Sequence, residues 1–585
     1  MRRLGTAIVV VMLAAPVTRP ESPGEGGVEL RWGESIPLRD GVPLNATVYL
    51  PSGPIERRPA VVTLTPYIAD TYHDRAMYFA RHGYAFVLVD ARGRGNSGGA
   101  FEPFANEACD GHDVVEWLAR QPWCNGKVAM WGGSYAGFDQ WATAKEFPRH
   151  LATIVPAAAA HPGVDFPGDS NIFSSYLVRW LTFTAGRTPN AKLFGDEAFW
   201  IARYRRRYLE HRPFAELDAI AGHPSPVFQR WLTHPTPDAY YDAMVPAAEH
   251  YARLDLPVLT VTGHYDDDQS GALAYYERHM RHGSAAGKAR HYLVMGPWDH
   301  AGTRTPAREV GGLSFGPASL VDLNALHKDW YDWTMKGGSK PKFLEKRVAY
   351  YVAGADKWKY ADQLDDVGTG RRTFYLHSDG RTGDALHSGS LRPDKPGDEP
   401  PDRYTYDPLD TRPAELERAE VKNVYTDQRR ALNLYGNGLV YHSAPLAEAM
   451  EVSGRFKLTL WITLDVPDTD FQADVSEIRA DGSCVLLASG LQRARYRESL
   501  RRAKPVPPGE VVRYEFTSFN WISREVAAGS RLRLVVSSPN TIYLQKNYNG
   551  GGDVSRETAK DARTAHVILH HDQEHSSCLE VPVGR

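Results

Sequence analysis

A serine set among glycines, in Gly132-Gly133-Ser134-Tyr135-Ala136-Gly137, is where this chain first shows residues arranged for chemistry. The apolar run Val128-Ala129-Met130-Trp131 enters it and a helix-like segment, 138–147, leaves it. A strand, a tight turn and a helix in that order thrust a serine hydroxyl out of a sheet, and the glycines remove side chains that would collide there. The match to G-x-S-x-G is shifted, because Ala136 holds the last place and glycine follows at 137. A serine is a weak nucleophile until a base takes its proton, so a histidine and an orienting carboxylate must lie elsewhere. On such a sheet they follow in the order Ser, Asp or Glu, His, each past a strand. Residues 256–262 read as a buried strand ending in Gly263-His264-Tyr265-Asp266, and 291–295 as another ending in Gly296-Pro297-Trp298-Asp299-His300. One loop Asp or His is ordinarily a turn former or a surface residue. Three such residues in the right order, each just past a strand, point to acyl transfer.

The elbow G-x-S-Y-x-G, the G-x-x-D loop, the G-P-W-x-H loop and an early Thr65-Pro66-Tyr67 resemble the cocaine-esterase and α-amino-acid ester hydrolase group, relatives of the X-prolyl dipeptidyl peptidases. The resemblance runs from about Val28 to the C-terminus. It implies an α/β-hydrolase domain with a helical cap and a C-terminal all-β jelly-roll sandwich. It also implies a serine hydrolase that cleaves an acyl ester or amide through an acyl-enzyme, with no cofactor. Carried over residue by residue, Ser134 is the nucleophile, His300 the general base and acid, and Asp266 the residue that fixes the imidazole. The backbone N–H of Tyr135, just after the serine, and the hydroxyl of Tyr67 become the oxyanion donors. Asp268 and Trp298 are candidate substrate contacts. In the amino-ester hydrolases, carboxylates after the catalytic aspartate resemble an anchor for an α-ammonium group. Here Asp268 fills the second place after Asp266, Gln269 fills the third where another acid is wanted, and the cap offers only Gly168-Asp169-Ser170. An exopeptidase removing X-Pro dipeptides is the alternative within enzymology, and a non-catalytic carbohydrate-binding or ligand-binding protein is the alternative outside it.

Other motifs are set aside on physical grounds. Gly93-Arg94-Gly95-Asn96-Ser97-Gly98 spells G-x-G-x-x-G after the strand 85–89, but no helix opens on those glycines to face a pyrophosphate. It reads as a loop supporting the site, with Asp90 and Arg92 as a structural ion pair. The run Asp266-Asp267-Asp268 lacks further oxygen ligands at calcium-loop spacing, and none of the 22 histidines, His223, His234 and His282 included, forms a zinc spacing, so no metal is expected. Cys109 and Cys124 flank a helix predicted over 110–120 that would hold them apart, whereas the pairing of Cys484 and Cys578, both in predicted strands, is open.

The elements that must position these residues fall into blocks. Arg2 and Arg3 precede a short apolar run too brief to span a bilayer, so 1–27 reads as a signal peptide and linker, implying a secreted or periplasmic protein, or a cytoplasmic one if that segment is not a signal. Strand and helix patterns alternate over 28–162 and again over 254–345, as in a mostly parallel sheet covered on both faces. Between them, 163–253 is rich in aromatics and arginine with helical spacing, a cap above the elbow. Within it the basic piece 203–207 reads as a helix face. Residues 346–585 turn to short alternating strands separated by turns such as Asp481-Gly482 and Pro508-Gly509, an all-β sandwich. At 585 residues the chain exceeds one core. A net charge of -3 gives no electrostatic case for nucleic acid or an anionic membrane. The expected partner is a small ester, amide or short peptide substrate, with no membrane span and a homo-oligomer allowed.

Overall fold

The structure is a computed structural model that describes residues 27–584; the predicted signal peptide therefore lies outside the described residues. A ten-stranded sheet carries the serine. Its strands are β1 (Val28–Pro37), β2 (Pro43–Pro51), β3 (Arg58–Thr65), β4 (Ala85–Asp90), β5 (Cys124–Ser134), β6 (Leu151–Ala159), β7 (Val258–Tyr265), β8 (His291–Asp299), β9 (Val348–Val352) and β10 (Lys357–Ala361). They lie in the order β1-β2-β4-β3-β5-β6-β7-β8-β9-β10, parallel from β4 to β9 and antiparallel at both edges. Strands β4, β7 and β9 are buried along their whole length, the continuous burial expected of a parallel strand covered on both faces. The helices α1 (His73–Arg81), α2 (Glu107–Ala119) and α3 (Tyr135–Ala144) follow β3, β4 and β5. Helix α3 is buried at every position, which fixes the turn that precedes it.

Between β6 and β7 the chain leaves the sheet to form the cap, which includes α4 (Tyr176–Phe183) and the helices Glu197–Leu209, Pro226–Leu232 and Ala248–Arg253. The basic run does lie on the helix Glu197–Leu209, but Arg207 is buried, donating to the carbonyls of Ile542 at 3.2 Å and Leu544 at 3.0 Å. The second domain is all-β, with thirteen strands in one connected sheet around its own apolar core. Backbone bonds from Ser175 to Tyr543 (2.7 Å) and from Gln545 to Phe173 (2.8 Å) join it to the cap.

Two expectations need correction. Strands β9 and β10, placed by sequence in the sandwich, extend the first sheet, with β9 parallel to β8. Short strands look alike in either domain by sequence, and only the pairing of 348–350 with 293–295 places β9. Arg92 pairs with Asp110 at 2.6 Å and Asp40 at 2.8 Å rather than with Asp90. All four cysteines are free thiols. Among the described residues no helix is long and apolar enough to cross a membrane.

Candidate active site

Ser134 ends β5 with φ 63° and ψ −125°, a left-handed backbone that costs a non-glycine residue about 1–3 kcal/mol and persists only where its surroundings over-determine it. The glycines show how. A Cβ on Gly132 would stand 2.5 Å from the Cβ of Ala136, and one on Gly137 would stand 2.8 Å from the Cα of Ala159 in β6. The elbow therefore closes on Ala136 because Gly132 makes room, and α3 packs on β6 because Gly137 does. The displaced final glycine of the motif has its own contact to satisfy.

Asp266 and His300 come together from the loops after β7 and β8. The Nδ1 of His300 lies 2.8 Å from Asp266 Oδ1. Asp266 is buried and also accepts from the Thr262 hydroxyl at 2.8 Å through Oδ2 and from the Asp268 N–H at 3.1 Å through Oδ1. A carboxylate facing Nδ1 holds the proton on that nitrogen and leaves Nε2 free to act as a base. The His300 side chain keeps 30% of its surface exposed, so a substrate can reach it.

A second carboxylate stands close, with Asp268 Oδ2 3.8 Å from His300 Nδ1. Burial disfavours the imidazolium, but Asp268 and the bond to Asp266 outweigh it and raise the His300 pKa. Burial, with Asp266 adding repulsion and His300 opposing both, pushes the Asp268 carboxyl up to about 7. With His300 as the base expected from the sequence, protonation would stop it accepting the serine proton, so activity would be lost as pH falls through its pKa, and a raised pKa would place that loss at higher pH. Removing the Asp268 charge lowers the His300 pKa. Asp268→Asn is therefore expected to move the acid limb of kcat/KM to lower pH, read from a pH–rate profile on a neutral ester; an unmoved limb would show that Asp268 does not act on His300.

The Tyr67 hydroxyl is 3.4 Å from Ser134 Oγ. Burial raises its pKa, so it remains a donor. The indole N–H of Trp180, on α4 of the cap, donates to the Tyr67 oxygen at 3.1 Å, which occupies that oxygen's acceptor side and leaves the tyrosine proton for the serine side. Trp180 was read from sequence only as one of many cap aromatics. Tyr135, first residue of α3, buries its ring and gives its hydroxyl to Glu107 Oε1 at 2.5 Å, leaving the backbone N–H at the helix start.

Trp298 is not at the substrate surface. It is fully buried, its Nε1 donates to the Ser319 carbonyl at 2.9 Å, and its ring fills the space left by Gly296, where a Cβ would lie 2.3 Å from the indole. Its position in the histidine loop suggested a contact; its packing makes it a wedge beneath that loop. Of the cap acids, Asp169 bonds to Ser170 at 2.9 Å, whereas Asp165, unmarked in the sequence, is the one whose carboxyl is pushed up by burial and by the charge of Asp268. Both Asp165 oxygens accept backbone N–H groups, from His161 at 2.8 Å and Gly271 at 2.6 Å. Gln269 turns away to bond the Gly263 carbonyl and both backbone groups of Trp521 in the all-β domain. Among the described residues no three His, Cys, Asp or Glu side chains are arranged to hold a metal ion.

A serine, a carboxylate-bound histidine and a tyrosine hydroxyl at the C-terminal ends of the parallel strands can transfer an acyl group, and comparison with known proteins agrees. Residues 40–302 match the X-Pro dipeptidyl-peptidase (S15 family), and residues 342–580 match the X-Pro dipeptidyl-peptidase C-terminal non-catalytic domain. This chain belongs to the S15 family. As an S15 protein it is a serine hydrolase. The cocaine esterase of Rhodococcus sp. (strain MB1 Bresler) is 27% identical to this S15 chain over 584 residues, covering 96% of it and 99% of the relative. Among solved structures, an α-amino acid ester hydrolase superposes with a TM-score of 0.81 at 21% identity, covering 98% of this chain and 100% of the other. An aminopeptidase from the marine sediment archaeon Thaumarchaeota archaeon superposes with a TM-score of 0.82 at 22% identity, covering 98% and 99%. At those identities the two structures establish the fold of the S15 chain: an α/β-hydrolase core followed by an all-β domain.

Proposed function

We propose that this hydrolase cleaves esters of uncharged acyl groups through Ser134, His300 and Asp266. His300 Nε2 takes the Ser134 proton as Oγ attacks the ester carbonyl. The carbonyl oxygen becomes an oxyanion held by the Tyr67 hydroxyl and the Tyr135 N–H. As it collapses, the alcohol leaves with the proton from the imidazolium, and Ser134 carries the acyl group. Water repeats the steps in reverse and releases the acid. The observation that carries this reading is the 2.8 Å bond from Asp266 to His300 together with the Tyr67 hydroxyl 3.4 Å from Ser134 Oγ. Tyr67→Phe is expected to lower kcat about 100- to 1000-fold, the weight of one oxyanion donor, with KM little changed in steady-state assays; a rate within a few-fold of the parent would assign the role elsewhere.

An uncharged acyl group is favoured because the groups that would hold an ammonium are already engaged. Asp165 is filled by two backbone N–H groups, Asp169 is bonded to Ser170, and Gln269 bridges to Trp521. Asp268 stands 3.8 Å from the His300 imidazole instead. That half-buried acid, with 17% of its side chain exposed, is also what supports the second reading, an exopeptidase taking the free amine of an X-Pro dipeptide. A matched panel separates the two: acetyl, benzoyl and α-amino-acyl p-nitrophenyl esters beside Ala-Pro p-nitroanilide, with kcat/KM for each. The unsubstituted acyl esters are expected to dominate. Dominance of the anilide, lost on Asp268→Asn, would establish the exopeptidase instead.

A further inference from the structure

The glycine-rich loop after β4, which resembles a phosphate-binding motif and is not one, makes contacts that the reaction described above does not use. Its glycines serve its own folding: a Cβ on Gly93 would stand 2.2 Å from Phe101 N, and one on Gly95, at φ 48°, would stand 2.1 Å from Asp90 Oδ2. Folded this way the loop buries Arg94 completely. The guanidinium donates from Nε to the Pro66 carbonyl at 2.7 Å, and from Nη1 to the carbonyls of Thr184 at 2.6 Å and of Gly186. Pro66 is the residue before Tyr67. Thr184 and Gly186 follow α4, whose Trp180 bonds the Tyr67 hydroxyl. A planar guanidinium presents donors in a fixed fork, so Arg94 ties the backbone under Tyr67 to the cap segment that orients its hydroxyl.

The far end of the same loop reaches Tyr135. The Phe104 N–H donates to the Tyr135 hydroxyl at 2.6 Å, and that hydroxyl donates to Glu107 Oε1 at 2.5 Å. Glu107 is buried, and its other oxygen accepts from the Asn106 N–H at 3.1 Å. Phe104 is held at φ 67° to do this, a strained conformation for a non-glycine residue that only an over-determined loop retains. The Tyr67 and Tyr135 rings meet edge to face at 6.5 Å. One loop thus grips the supports of both oxyanion donors from opposite ends.

We infer that this loop sets the spacing of the oxyanion hole, with Arg94 positioning Tyr67 and Glu107 positioning the Tyr135 N–H, neither of them touching substrate. The inference rests on the assignment of those two donors made above. A misplacement of about 1 Å in a catalytic group costs on the order of 100-fold, and loss of either anchor is expected to cost about 10- to 100-fold in kcat with KM little changed.

The test is a set of double-mutant cycles with active sites counted by fluorophosphonate titration, so that folded fraction does not enter the rate. Arg94→Lys should lower kcat in the parent protein, lower it again on Tyr135→Phe, and leave it unchanged on Tyr67→Phe, because its effect passes through Tyr67. Tyr135→Phe, which keeps the backbone N–H and removes only the anchor, should weaken inhibition by a trifluoromethyl ketone in step with kcat/KM, and Glu107→Gln, which keeps an acceptor, should restore most of what Glu107→Ala loses. Equal loss from Arg94→Lys with and without Tyr67, or Tyr135→Phe with parental kcat per titrated site, would overturn the inference. If Arg94→Lys does not fold, the Tyr135 and Glu107 arm decides. A silent Tyr67→Phe would instead remove the donor assignment itself, and a large Tyr67→Phe effect beside silent Arg94 and Tyr135 variants would remove only the inference.

Discussion

Ser134→Ala is expected to lower kcat on its best ester by about 10⁶-fold, and His300→Ala by a similar factor, with the double variant no worse than either alone. Nucleophile and base act as one unit, so deleting the second removes nothing the first has left in place. What remains comes from the oxyanion donors and substrate binding, which neither change touches. The geometry makes the test sharp. Ser134 sits at φ 63° because of its neighbours rather than its own side chain, so alanine there keeps the elbow while losing Oγ. Intact-protein mass spectrometry after fluorophosphonate treatment should show one adduct on the parent and none on Ser134→Ala. A residual rate within 100-fold of the parent, or an adduct elsewhere, would move the nucleophile away from this elbow.

The proposed triad was legible in the sequence because each member stands at or just past the end of a strand, in a turn that carries a glycine, and buried strands are easily read. The glycines carried more than they promised. A Cβ on Gly263 would lie 2.0 Å from the Trp298 carbonyl, so this glycine is what lets the aspartate and histidine loops approach. Trp298 was misjudged for the complementary reason: adjacency to His300 gives no information about which way a ring points, and the space made by Gly296 draws it inward. Contacts between distant segments were not legible at all. Trp180 meets Tyr67 across 113 residues, and Arg94 meets Thr184 across 90. Neither has a periodic pattern to betray it, and a G-x-G-x-x-G string advertised a phosphate site instead. The end of the sheet was missed at β9, a five-residue apolar run as short as strands of the second domain and preceding them in the chain. The aspartate cluster was seen as a row of acids; its division of labour came from hydrogen bonds, with Asp165 filled by backbone and Asp268 left facing His300.

Asp266→Ala is expected to lower kcat by about 10⁴-fold, the weight of an aspartate that holds the histidine tautomer and stabilises its charged form. Asp266→Asn should cost much less, and the reason lies in which neighbours can change role. Oδ1 of Asp266 faces two donors, His300 Nδ1–H and the backbone N–H of Asp268, and the latter cannot become an acceptor. Oδ2 faces the Thr262 hydroxyl, which can rotate and accept. An asparagine therefore turns its NH₂ toward Thr262 and its oxygen toward His300. The tautomer survives, and only the charge is lost. A neutral in place of a charge-assisted hydrogen bond is worth about 1–2 kcal/mol, or roughly 5- to 30-fold in rate, and Asp268 at 3.8 Å still offers its charge to the imidazolium. Adding Asp268→Asn to Asp266→Asn should then cost more than the two single changes predict. If Asp266→Asn alone falls by 10⁴, matching alanine, the amide has turned its NH₂ to His300 and forced the wrong tautomer, and the backbone N–H of Asp268 does not control the site as its geometry indicates. Steady-state kcat for the four variants, measured above the acid limb, decides between them.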